Sequence, residues 1–175
     1  MDFRRYPSHL KRYITWTVAT KAKYGNMTNY ICTRRLHWQP LPVPANGSSF
    51  AFKNATPFAD PADYKILFND WPYGVTKDIV HLVVWSKTPV PVEPETGAVT
   101  EEGRGLIERF VHEKFRKPLE GRGHGTDTVL WFKNWTKLQS MRAVEHFHVL
   151  VRNADPDLLV EWTDGDEKDE SVLQD

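Results

Sequence analysis

Apolar residues along this chain keep two rhythms, and the switch between them outlines the elements. Residues 9–22 place Leu10, Tyr13, Ile14 and Val18 near one helical face, after a start at Pro7 with Ser8 as N-cap; Tyr24-Gly25-Asn26 then breaks the helix. A second short helix is expected over 27–36. The rhythm of two then takes over. Residues 64–69, 79–87, 128–133 and 144–152 read as strands, the second so rich in Val that both its faces should be buried. Between the second and third strands, Thr100 caps a helix that carries Glu101 and Glu102 in its first turn. Leu106, Ile107, Phe110, Val111 and Phe115 form its apolar stripe, and Pro118 is expected to end it. Asp155-Pro156 opens a last helix to about Trp162, with Asp155 as its cap.

The rest reads as loop. Pro40, Pro42, Pro44, Pro57 and Pro61, with Asn46-Gly47-Ser48-Ser49, forbid regular structure over most of 38–63. That stretch is too long for a plain connection and carries Phe50, Phe52 and Phe58, so it is read as a lid over a pocket. Residues 120–127 are Gly-rich but lack the spacing and the trailing Lys-Ser/Thr of a P-loop, and they read as a flexible connection. Residues 134–141 fit a short helix or a wide turn. From Asp164 the text is acidic and poor in apolar residues, as in a disordered tail. The expected architecture is one α+β domain over 1–163, an antiparallel sheet of four or five strands with helices packed on it, and a tail over 164–175. A chain of 175 residues can bury a core without a disulfide or structural metal.

Composition narrows the partners. Basic and acidic residues balance at 23 each, which is not the footprint of a nucleic-acid binder and gives no reason to expect an anionic membrane surface as partner. Cys32 is the single cysteine, so no disulfide can form within the chain; this fits a reducing compartment, and the thiol reads as a small buried hydrophobe. Met1-Asp2-Phe3-Arg4-Arg5 leads into polar residues rather than a signal peptide, and the apolar run over 79–85 is far too short to span a bilayer. The expectation is a cytoplasmic protein acting on a small molecule.

The fourth strand carries the candidate chemistry. Alternation puts His146, His148 and Leu150 on one face and Glu145, Phe147, Val149 and Val151 on the other. Two imidazoles side by side are within reach of one substrate, and they titrate near neutral pH. A single strand histidine is usually a satisfied core residue, but burying two on one face of an apolar strand is costly without a purpose. His81 can join them if its strand is a neighbour. Lys133, Asn134 and Trp135 form a polar cluster at a strand end, where a lysine stem lying along apolar surface is the plain alternative. Asp70 and Trp71 sit at another strand end, with Asp70 either orienting a histidine or capping the turn. Three histidines can bind a metal, yet no His-x-Glu or Cys pair accompanies them, so neither metal nor cofactor is expected.

Several segments carry a family likeness. Asp63-Tyr64-Lys65-Ile66-Leu67, Asn69-Asp70-Trp71-Pro72-Tyr73-Gly74, residues 79–87, Trp131-Phe132-Lys133-Asn134-Trp135 and residues 143–149 closely resemble a fungal domain of unknown function that includes the N-acetylglucosamine-induced proteins. The likeness covers nearly the whole chain and implies a fungal source. The order of a strand, a Pro-Tyr-Gly turn, a His-Leu-Val-Val strand, a helix, a strand ending in Asn, and His146-Phe147-His148-Val149 is similar to the histidine-triad nucleotide-binding superfamily. There the middle histidine attacks a phosphate, and His148 would take its place. Leu150 stands where the third histidine belongs, and Arg142 and Ala143 replace the usual Gln and Ser or Thr, which removes phosphate-binding groups.

The resulting expectation is a small-molecule enzyme of isomerase, lyase or cyclase type in fungal carbohydrate or specialised metabolism. His148 would be the main acid or base and His146 its partner, with His81, Lys133 and Asn134 steadying negative charge. The alternatives are a nucleotide hydrolase or transferase with His148 as nucleophile, and a non-catalytic sensor of a sugar-derived ligand.

Overall fold

The strand rhythm resolves into one open, fully antiparallel sheet in the computed structural model, which describes residues 5–134 and 143–167. Strands β1 (Tyr64–Phe68), β2 (Ile79–Ser86), β3 (Val129–Phe132) and β4 (Glu145–Arg152) lie in the order β1-β2-β4-β3. The fold is α+β. In the central pair, Val83 lies opposite His148 and Trp85 opposite His146. Opposed residues share a face, so the strand alternation sorts the sheet into two different surfaces.

One surface is the main core. Leu82, Val84, Phe147, Val149 and Val151 are almost fully buried on it. They pack under α3 (Glu101–Val111) through Ile107 and Val111, and under α5 (Pro156–Thr163) through Leu158 and Trp162. Thr100 caps α3 as expected, its hydroxyl accepting from Gly103 N at 3.0 Å. Pro118 does not end the helical run. A π-helical turn over His112–Arg116 lets it continue into α4 (Lys117–Glu120), where Pro118 sits in the first turn and its missing N–H has no intrahelical partner to lose.

The other surface carries the histidines and is covered by α1 (Pro7–Tyr24), α2 (Met27–Tyr30) and a π-helical turn at Ile31–Leu36. Two expectations about α1 need correction. The helix starts at Pro7 itself, whose fixed φ suits the first helical position, so Ser8 lies inside it and caps nothing. Its packing face is Tyr13, Trp16 and Thr20. Leu10, Ile14 and Val18, the expected face, are 43%, 55% and 66% exposed. Aromatic packing decides the rotation: Trp16 lies 5.4 Å from Trp71 and 5.2 Å from Tyr30, ring centre to ring centre.

Two loop expectations also change. Phe50 and Phe58 of the Pro-rich stretch go into the two cores, Phe58 against Phe110 and Phe147. Asp155 does not cap α5; its carboxylate meets His124 Nε2 at 3.0 Å. The start of the acidic segment is tied down through Asp166, which accepts from Arg35 at 2.8 and 3.0 Å and from Phe68 N at 3.0 Å. Residues 168–175 and the expected turn beyond Asn134 lie outside the described residues.

Two glycines of α3 give a sharp test of this packing. A Cβ at Gly103 would come within 2.5 Å of the Pro91 carbonyl oxygen, a backbone atom, whereas one at Gly105 would meet nothing within 4 Å. Gly103→Ala should therefore destabilise by about 1–3 kcal/mol through overpacking. Gly105→Ala should stabilise by about 0.5–1 kcal/mol through helix propensity. Urea unfolding of both variants measures the two signs.

Candidate functional site

The histidine face of the sheet and its helical cover enclose a cavity of about 310 Å³. Its floor includes Leu67, Val83, Trp85, His146 and His148; Tyr13, Trp16, Tyr30 and Ile31 contribute from the cover. His146 and His148 are 5% and 8% exposed, and each lies against an aromatic ring. Trp85 stacks on His146 at 4.7 Å between centroids, and Phe132 on His148 at 4.9 Å.

A backbone carbonyl fixes which nitrogen of His146 carries the proton. His146 Nδ1 lies 2.8 Å from the Val144 carbonyl oxygen, which only accepts. Nδ1 therefore bears the hydrogen, and Nε2 is left with its lone pair. His148 is set through His81, whose Nε2 is 3.0 Å from His148 Nδ1. The Tyr73 amide N–H donates to His81 Nδ1 at 3.4 Å. Asn69 Oδ1 accepts from Trp71 N at 2.9 Å, which turns Asn69 Nδ2 towards His81, 3.1 and 3.4 Å from its two nitrogens. His81 Nε2 and His148 Nδ1 thus share one hydrogen bond. Asn134 Nδ2 donates to the Tyr73 hydroxyl at 3.4 Å and stands 3.3 Å from His148 Nε2.

All three rings are held neutral. Burial lowers the His146 pKa, with Lys133 adding to the effect. Burial and the neighbouring His81 and His146 rings lower His148 well below its usual value, and Arg5 adds to this. Burial, then the Arg5 charge, pushes His81 down to about 3. Burial also raises the Cys32 thiol, as suits an inert core cysteine.

The expected site residues divide. His81 stands behind His148, 3.0 Å from its Nδ1, and is not among the residues lining the cavity. Asn134 and Trp71 line the cavity. Asp70 lines it too, but it pairs with Arg35 at 3.1 Å and accepts from Tyr30 at 3.4 Å. The work expected of Asp70, orienting a histidine and holding the turn, falls to its neighbour Asn69. Lys133 pairs with Glu145 and lines a separate cavity of about 290 Å³ with Ser48 and Lys87. Trp135 lies outside the described residues. No residue of 38–63 lines the histidine cavity among the described residues, so the cover comes from α1 and α2 and not from the Pro-rich loop.

Sequence reasoning missed Arg5, Asn69 and Tyr73. Asn69 and Tyr73 flank Trp71 in the turn after β1, where an amide before a tight turn was the available signal. Arg5 gave none. Its guanidinium lies 4.2 Å from the Tyr13 ring centre and 5.2 Å from that of Tyr73, and its Nε donates to the Trp71 carbonyl at 3.3 Å. Among the described residues no group of three or more His, Cys, Asp or Glu is placed to hold a metal ion, and no helix is long and apolar enough to cross a membrane.

A family model described as "Protein of unknown function (DUF3605)" matches residues 1–152. N-acetylglucosamine-induced protein 1 of Candida albicans is 28% identical over 160 residues, covering 86% of this chain and 61% of that protein. Uncharacterized protein YPL067C of Saccharomyces cerevisiae is 34% identical over 128 residues, covering 72% of this chain and 59% of that protein. The chain spans about three fifths of the length of these curated relatives. A crystal structure of HTC1 is similar at a TM-score of 0.62 and 27% identity, over 93% of this chain and 84% of that one.

The buried neutral histidines make stability depend on pH. Their folded-state pKa values lie below the unfolded value, so the unfolded chain takes up protons first. Stability is greatest above pH ~6.5 and falls as the pH drops below it, by up to about 1.4 kcal/mol per pH unit for each such histidine. Urea unfolding between about pH 7.5 and pH 5 measures this slope. The His81→Asn/His148→Asn double variant should show a flatter one; an equally steep loss would place the acid sensitivity elsewhere.

Proposed function

The chain belongs to the DUF3605 family, and from the geometry of its cavity we propose that it is an enzyme doing acid–base chemistry on a small metabolite. The observation that carries the reading is two buried imidazoles lining one cavity, one of them in a fixed tautomer. His146 offers a lone pair on Nε2, with the proton-bearing Nδ1 anchored on Val144. The reading gives His148 the complementary tautomer, an N–H on Nε2, with Nδ1 hydrogen-bonded to His81. A group that accepts a proton beside a group that stabilises developing negative charge is the requirement for enolisation, isomerisation or β-elimination. The sequence suggested His148 as the main acid or base; the fixed Nδ1–H of His146 favours His146 as base, with His148 as neutral electrophile. The lowered pKa values suit both roles, since a base must be unprotonated and a neutral imidazole can still donate.

A setting in the cytoplasm and in fungal carbohydrate or specialised metabolism is part of the proposal. It is supported by fungal relatives, one of them named for induction by N-acetylglucosamine. The histidine-triad-like reading, with His148 as phosphoryl-accepting nucleophile, is the rival. It needs a lone pair on His148 Nε2, and it has Leu150 where a third histidine would stand.

Two measurements test the proposal. Nitrogen-15 spectra of the imidazoles should show an unprotonated Nε2 in His146 and a protonated one in His148; the reverse pattern would exchange their roles. Incubation with a metabolite extract in heavy water should then label at least one compound with deuterium at carbon. His146→Asn should slow that labelling by about a hundred- to ten-thousand-fold, and His148→Asn by a comparable factor. Because burial lowers the His146 pKa, the acid limb of the rate profile should lie below pH ~6.5. Tight binding of a metabolite with neither labelling nor turnover would favour the ligand-sensor alternative.

A further inference from the structure

We infer that the ligand of this cavity is a small carboxylate with an apolar body, its carboxyl group held by the Arg5 guanidinium. The inference deepens the proposed function by naming its substrate class, and it rests on that reading only for the chemistry that follows binding.

Arg5 and Arg35 both line the cavity, and their charges are differently placed. Arg35 is neutralised by Asp70 at 3.1 Å and Asp166 at 2.8 Å. Arg5 has no carboxylate partner among the described residues. Its guanidinium lies over the Tyr13 ring at 4.2 Å and the Tyr73 ring at 5.2 Å, and its Nε is taken by the Trp71 carbonyl. The two terminal nitrogens keep their donors. A guanidinium fixed in this way presents the fork that matches a carboxylate, and its orientation is set before a ligand arrives.

Trp71 marks the same place: it is 5% exposed, lines the cavity, and its carbonyl holds the Arg5 Nε, so its indole reports on what Arg5 binds. The Arg5 charge is also felt at His148, where it helps keep the ring neutral. The remaining wall is largely aromatic, from Trp16, Tyr30 and Trp85, and suits a flat or cyclic apolar body. A phosphate monoester dianion fits less well. It would meet a single uncompensated guanidinium, with the Asp70 carboxylate also in the wall.

The test compares matched ligands on the full chain. Benzoate, cinnamate, cyclohexanecarboxylate and glucuronate are titrated beside their primary amides and beside inorganic phosphate, with binding read by nitrogen-15 and proton shifts of the Trp71 indole. At least one acid should bind about ten- to a hundredfold tighter than its amide and move the Trp71 signal. Arg5→Gln should abolish that preference. If Arg5→Gln does not fold, the preference is read in Arg5→Lys, which keeps the charge but loses the fork and should retain only part of it. The inference is overturned if no acid outbinds its amide, if either variant keeps the full wild-type preference, or if phosphate binds tighter than the acids. Binding and turnover separate this inference from the proposed chemistry: an acid preference in a wild type that labels and turns over nothing would strike the enzymatic reading alone.

Discussion

The register between β2 and β4 governs the histidine site. With Val83 opposite His148 and Trp85 opposite His146, the imidazoles lie under the helical cover while Phe147 and Val149 enter the main core. A slip by one residue would turn both histidines into that core and lift Phe147 into the cavity, because strand faces alternate with a period of two. Neither surface would tolerate the exchange. The main core would gain unsatisfied imidazoles, and the cavity would lose its polar groups. The burial of Phe147 and its neighbours, each worth about 1.5–3 kcal/mol, thus also fixes the position of the site.

Around that register the protein solves the problem of burying imidazole without acid. No carboxylate hydrogen-bonds to His81, His146 or His148 in the described network. Their partners are a backbone carbonyl, a backbone N–H, two amides and one another. Such partners satisfy neutral rings and do little for charged ones, in keeping with the lowered pKa values. Aromatic faces complete the enclosure, with Trp85, Phe132 and Tyr73 each stacked on one ring. The ionic group of the region, Arg35 with Asp70 and Asp166, ties the end of α5 and the segment after it to the π-helical turn.

The parts of this arrangement legible in the sequence are those governed by short-range rules. Alternation along 144–152 and the Val-rich run of β2 announced two central strands, and Thr100 with its two glutamates announced α3. The rest depends on contacts between distant residues. The face that α1 turns inward is chosen by Trp71 and Tyr30, which no local periodicity reveals, so the aliphatic positions misled. Pro118 obeys a rule about α-helices that the π turn suspends. Asn69 and Asp70 are adjacent and both polar. Which of them meets His81 is set by the end of β1, where Asn69 N donates to the His81 carbonyl at 3.0 Å. Arg5 precedes the first helix and acquires its place only when Tyr13, Tyr73 and Trp71 come together.

The cavity has walls of unequal strength. Its floor is the central strand pair, backed by the main core. Its cover includes α1, where Thr20 is the residue most deeply buried and three aliphatic side chains face water. Local opening costs least where few apolar contacts are lost, so the cover should breathe long before the floor does. Gly25, at a φ of 82°, joins α1 to α2 and supplies a natural pivot. A guest would find the helical side of such a pocket easier to displace than its floor. Its rate of exchange with solvent is then a property of the aromatic contacts of Tyr13 and Trp16, and only indirectly of the histidines beneath them.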